Sequence, residues 1–142
     1  MATRKTFENA KGTLTASING TANFIADTVH LTHKNGLITV VGVDEDSTSP
    51  LRIIQIEMVA DIPNGKHDFP GNQIRALEGG ANTPQANYLT SSGRVDVDFG
   101  HEIGRYKGQF NFTAINVFPP KNTIKVVGTF AIDTAPSQPP EQ

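Results

Sequence analysis

Three runs decide the fold: Gly93-Arg-Val-Asp-Val-Asp-Phe99, Arg105-Tyr-Lys-Gly-Gln-Phe-Asn-Phe-Thr-Ala-Ile115 and Thr123-Ile-Lys-Val-Val-Gly-Thr-Phe-Ala-Ile-Asp133. In the first run, Val95, Val97 and Phe99 occupy alternate positions. Tyr106, Gly108, Phe110, Phe112 and Ala114 do so in the second, and Ile124, Val126, Gly128, Phe130 and Ile132 in the third. Side chains on a strand point alternately to opposite faces, so this spacing gathers each apolar set on one side. The other phase is polar: Arg94, Asp96 and Asp98, then Arg105, Lys107, Gln109 and Asn111, then Thr123, Lys125 and Thr129. One dry face and one wet face predict three antiparallel strands covering a core. A hairpin across Gly100-His-Glu-Ile-Gly104 would bring Asp96 and Asp98 near Arg105 and Lys107. Ordinary cross-strand charge pairs are the expected role of these four residues.

Gly108 and Gly128 each stand in the apolar phase two residues before a phenylalanine. A glycine inside a strand marks a bulge, a bend or a close approach. Either neighbouring aromatic rings cover these two glycines, or they open room for a ligand.

Upstream, the signals point the same way. Leu14, Ala16 and Ile18 alternate with Thr13, Thr15 and Ser17, and Asn19-Gly20 follows as a two-residue hairpin turn. A second strand through Ala22, Phe24 and Ala26 is expected to continue through Val29 and Leu31. Asn35-Gly36 repeats the turn signal, and Leu37–Val43 is apolar in both phases, as in a central strand. Leu51–Val59 reads as a strand with Ile54, Ile56 and Met58 inward, its alternation broken near Ile53. Residues 71–86 read either as one or two helical turns over Gln73–Glu78, ended by Gly79-Gly80, or as an irregular strand and loop, with mixed loop preferred; Ser91-Ser92-Gly93 reads as a turn. Residues 1–11 are expected to be loosely ordered, residues 1–134 to form one β domain, and the Pro-rich tail 135–142 to be disordered. The sum is roughly eight to ten strands, an all-β antiparallel sandwich or flattened barrel with hairpin and meander connections.

The last third resembles a pattern in small all-β bacterial proteins without an assigned activity. The matching residues are Ser92-Gly93-Arg-Val-Asp-Val97, Gly108-Gln-Phe110-Asn-Phe112-Thr-Ala114 and Val126-Val-Gly128-Thr-Phe130, with Ile62-Pro-Asn-Gly65-Lys-His-Asp-Phe69 similar to a turn upstream of them. The resemblance covers about half the chain and implies a β-sandwich or barrel with no catalytic residues. Many such proteins resemble lipoproteins, and the leader and cysteine that anchor those are not read here.

Composition excludes several activities. The chain has no cysteine, which removes thiol nucleophiles, thiolate metal sites and disulfides. Its formal net charge of −2 leaves no basic footprint for nucleic acid, and Phe110, Phe112 and Phe130 lie in the buried phase rather than on a stacking platform. No apolar stretch approaches the ~20 residues of a spanning helix. Arg4 and Lys5 have no apolar run behind them, so no secretory leader is read and a cytoplasmic location is expected.

Three groups of titratable residues are candidates for chemistry. His30 and His33 sit three apart, which places two metal ligands on one face of a helix but on opposite faces of a strand. Asp44, Glu45, Asp46 and Ser47 form an acidic loop without the full pattern of a calcium loop. Asp96, Asp98, His101 and Glu102 form the densest titratable cluster, a potential acid–base or metal set. In each case the structural reading, a solvated strand end, a surface loop and a sheet-surface ion pair, is preferred. No catalytic, cofactor or metal residue is assigned, and no cofactor is expected. The expected activity is non-enzymatic: a module that binds or assembles with a protein or glycan, with self-assembly through strand edges one form of it. The alternative is a barrel carrying a small apolar molecule, with Gly108 and Gly128 leaving the space.

Overall fold

The computed structural model describes residues 5–6 and 11–134. Its strands are β1 (Lys5–Thr6), β2 (Lys11–Ile18), β3 (Thr21–Ile25), β4 (Thr28–Lys34), β5 (Leu37–Val43), β6 (Leu51–Val59), β7 (Gly65–Phe69), β8 (Ile74–Ala81), β9 (Tyr88–Gly100), β10 (Arg105–Asn116) and β11 (Thr123–Asp133). Ten strands, with β1 as an added two-residue pairing, match the expected number. They form two antiparallel sheets, ordered β1-β4-β5-β6-β8 and β3-β2-β11-β10-β9-β7. The two sheets stay separate, so the molecule is a sandwich rather than a closed barrel. The expected disordered tail lies outside the described residues, as does most of the expected loose N-terminal segment; Lys11 already belongs to β2.

The inward phases of both sheets meet in one core. Phe24, Leu31, Ile38, Ile54, Ile56, Met58, Leu77, Phe110 and Phe130 are all buried within it. Each such side chain contributes about 1.5–3 kcal/mol when fully removed from water. The expected meander of β9, β10 and β11 is present, and β5 lies at the centre of its sheet. Both Asn-Gly turns take the left-handed backbone that type I′ hairpins require, with φ of 57° and 86° at Asn19-Gly20 and 55° and 77° at Asn35-Gly36.

Three expectations are corrected. First, β3 does not run on through Val29 and Leu31, because the chain changes sheets. Ala26 N still donates to Leu14 O of β2 (3.0 Å), whereas Asp27 N donates to Val43 O of β5 (2.7 Å). Second, residues 74–81 are a strand rather than mixed loop. Ile74 and Leu77, three positions apart, are both buried because the pairing of β6 with β8 slips between Glu57 and Met58 and leaves Arg75 as an extra residue. Gly79 and Gly80 continue this strand beneath Leu51 and Ile53, whose side chains would lie 2.7 and 2.6 Å from an added Cβ. Third, Ser91-Ser92-Gly93 is a bulge and not a turn. Thr113 faces Ser92 and Ala114 faces Thr90, so Ser91 is the extra residue in a continuous thirteen-residue strand.

Candidate functional site

The outward phase of the six-stranded sheet lines up in rows across all of its strands. In one row, Ile25 of β3 faces Thr15 of β2, then Thr129 of β11, Gln109 of β10, Asp96 of β9 and Lys66 of β7. With strands ~4.8 Å apart, five intervals span about 24 Å. The next row carries Ser17, Val127, Asn111, Arg94 and Asp68. The whole first row, with Ser17, Val127, Asn111 and Arg94, lines a solvent-open depression of about 610 Å³. A neighbouring hollow of about 580 Å³ shares Asp96, Gln109 and Thr129, and one of about 400 Å³ shares Arg94 and Asn111. The three make one continuous surface.

The charges on this surface only partly follow the expected pairs. Asp98 does face Lys107 across the hairpin. Asp96, however, faces Gln109 on one side and Lys66 on the other. Arg105 faces Gly100, and its guanidinium lies 3.9 Å from Asp133 instead. Arg94 pairs with Asp68 at 2.8 Å. The reason is register: β10 is flanked by β9 and β11, and β9 by β7, so each charge chooses among neighbours that are remote in sequence. Among the described residues, no side-chain hydrogen bond or ion pair joins Thr15, Thr129, Gln109, Asn111, Asp96 or Lys66 to one another.

The other candidates lie elsewhere. His30 and His33 are on β4, in opposite phases, so their rings leave opposite faces of the sheet. In the acidic loop, Asp44 is 7% exposed and its carboxylate is already engaged: Oδ2 accepts from Ile25 N at 3.0 Å and Oδ1 from Asp46 N at 3.2 Å. Glu45 takes Arg52 at 2.6 Å, and Ser47 Oγ lies 2.9 Å from Ser49 Oγ. This loop fastens the corner where the chain changes sheets.

His101 and Glu102 form a one-turn 3-10 helix, His101–Ile103, between β9 and β10. The His101 ring stands edge-on to Phe99 and Tyr106, at centroid distances of 5.8 and 5.4 Å, and its Nδ1 is 3.5 Å from Tyr106 Oη. Phe99 and Tyr106 belong to the inward phase, while Asp96 and Asp98 belong to the outward one. The cluster that looked densest in sequence is therefore divided between two faces. Burial raises the Tyr106 phenol above its ordinary value of 10.0.

Gly108 and Gly128 receive aromatic cover. Gly108 faces Phe130 and Gly128 faces Phe110 across the same strand pair. A Cβ on Gly108 would lie 2.6 Å from Phe130 Cζ, and one on Gly128 2.5 Å from Phe110 Cζ. Ile25, Thr15 and Lys66 also belong to this surface. Nothing local marks them; they join the site only because β3 pairs with β2, β2 with β11 and β7 with β9.

Comparison with family models, curated proteins and solved structures gave no match.

Proposed function

We propose that this chain is a non-enzymatic binding module for protein or glycan partners, and that its contact surface is the outer face of the six-stranded sheet. The observation behind the reading is the depression of about 610 Å³ to which all six strands contribute side chains. A concave surface with a few convergent polar groups is the default form of a ligand site. The titratable groups favour recognition over chemistry, since Asp96 and Asp98 are separated from His101. The resemblance to small all-β bacterial proteins adds no site residues, so the sheet face carries the proposal alone. A cytoplasmic setting belongs to the same reading and rests on the cysteine-free composition; among the described residues no helix is long and apolar enough to cross a membrane.

Assembly through the β7 edge has less support, because Lys66 and Asp68 on that strand discourage edge-to-edge pairing. The apolar-carrier reading required the space at Gly108 and Gly128, which Phe130 and Phe110 occupy.

The absence of cysteine provides a direct test. Asn111→Cys coupled to a polyethylene-glycol maleimide masks the face, and Glu78→Cys carries the same label on the other sheet. On glycan and peptide arrays, the Asn111 conjugate should lose binding that the Glu78 conjugate keeps. Equal binding by the two conjugates would sink the proposal.

A further inference from the structure

We infer that the ligand of this face is a linear, neutral oligosaccharide lying across the strands along the row from Ile25 to Lys66. This inference rests on the reading of that face as the contact surface, and adds the chemistry of what it holds. The centre of the row is Thr129 and Gln109, with Asn111 beside them in the next row. Hydroxyls and carboxamides present donors and acceptors together, which matches a ligand made of hydroxyl groups. Among the described residues these side chains are exposed and not tied to each other, so their donors and acceptors are open to a ligand in the depression.

Charge favours a neutral ligand. Lys66 and Arg94 are balanced by Asp96 and Asp68, and Arg94 is already paired with Asp68 at 2.8 Å. A polyanion gains affinity by pairing its charges with a net excess of lysine and arginine, and the two rows offer none. A protein partner is disfavoured for a different reason. Protein interfaces depend on aromatic or arginine anchors in a central, water-free pocket. The aliphatic members of the two rows are Ile25, 64% exposed on the edge strand, and Val127, 56% exposed on the central strand β11; neither row carries an aromatic side chain, and their one arginine, Arg94, is already paired with Asp68. The row is also long, about 24 Å at ~4.8 Å per strand. That length suits a chain of several sugar units rather than one. Its ends differ, aliphatic at Ile25 and charged at Lys66, so the chain would lie in one direction, with the C–H face of one terminal unit against Ile25 and the hydroxyls of the unit at the other end toward Lys66 and Asp96.

The test uses the full chain, isotopically labelled, titrated with neutral mono- to hexasaccharides drawn from an array of hexose and N-acetylhexosamine polymers. Acidic heparin-derived hexasaccharides and array-selected peptides serve as competing probes. Amide shifts should concentrate on Thr15, Thr129, Gln109, Asn111 and Asp96, and affinity should rise with chain length before levelling off. Gln109→Ala and Asn111→Ala should each weaken binding about fivefold to tenfold, the loss of one or two hydrogen bonds, while melting like the parent chain. Glu78→Gln should leave binding unchanged. Shifts on this face from peptides or acidic saccharides, with none from neutral ones, would overturn the oligosaccharide inference and leave the face as the contact surface. If no probe of any class shifts the face, or neutral saccharides bind elsewhere, both readings fall.

Discussion

Gly108 and Gly128 show how little freedom single positions in this sheet retain. Each lies directly opposite a phenylalanine whose ring fills the place of the missing side chain, a reciprocal pair across β10 and β11. The obstacles differ in kind. At Gly108 an added Cβ meets the Phe130 ring at 2.6 Å and Asp96 O at 3.1 Å. At Gly128 it meets the Phe110 ring at 2.5 Å and also Thr15 O, backbone, at 2.5 Å. A ring can tilt, but a carbonyl in a strand ladder moves only with its strand. Both alanine variants should therefore lose stability by about 1–3 kcal/mol, with Gly128→Ala the worse of the two. Urea midpoints of the two variants check the order. Thr90 should behave in the opposite way. Its Oγ1 is buried beside the Ser91 bulge and has no hydrogen-bond partner among the described residues, so Thr90→Val should leave stability unchanged or raise it by up to about 1 kcal/mol.

Tyr106 supplies a pH dependence at the same scale. Burial raises its phenol above 10.0, so the folded state holds the proton more tightly than the unfolded chain. The associated stability is fully present below the unfolded value near 10.0 and is lost as pH rises through the higher folded value. The melting temperature should therefore fall as pH rises from about 10.0 through that higher value. Tyr106→Phe should flatten this part of the profile, and an unchanged slope would contradict the assignment.

At the scale of elements, side chains extend the ladders where the backbone stops. Asn64, just before β7, donates its amide to Phe99 O at 3.2 Å and accepts from Phe99 N at 2.8 Å, imitating one more residue of strand pairing. Asn116 Oδ1 likewise accepts from Asn87 N at 3.0 Å and Phe118 N at 3.1 Å, closing the far end of the meander. Asn64→Ala should cost about 1–2 kcal/mol, the net loss of two hydrogen bonds. Hydrogen exchange should speed up at Phe99 and little at Phe110. Asp44 does comparable work at the corner between β3 and β4. Asp44→Ala leaves Ile25 N and Asp46 N without their acceptor, and a loss of about 1.5–3 kcal/mol is expected for bonds to a charged group. These supports explain why the corners were hard to read. An asparagine or aspartate in a loop looks like turn chemistry until its distant partner is known.

At the scale of the molecule, the sheet that carries the proposed site is closed by its most remote partners. β2, from the start of the described chain, pairs with β11 at its end, between Lys11–Ile18 and Val126–Asp133. Both sheets share one core, so unfolding should be a single cooperative transition, with far-ultraviolet and near-ultraviolet circular dichroism melting together. Folding should be slow for the size of the chain, milliseconds to seconds, because that pairing closes a loop nearly as long as the domain. Stopped-flow refolding measures it.

Alternation, turn chemistry and the central position of β5 were legible in the residues because each is a local property. Period two assigns Phe110, Phe112 and Phe130 inward and Gln109, Asn111 and Thr129 outward without knowledge of any neighbour. Asn-Gly sets its own backbone angles. The strand in residues 74–81 was not legible, because a bulge slips the phase by one residue and puts Ile74 and Leu77 on the same side despite their odd spacing. Strand order was not legible either. That Lys66 stands beside Asp96, and Thr15 beside Thr129, follows from pairings chosen by the whole core. Alternation along β10 and β11 is enough to turn Gln109, Asn111 and Thr129 toward water. It cannot say which side chains stand in one row, because hydrogen-bonded register is settled between strands and is not written along any one of them.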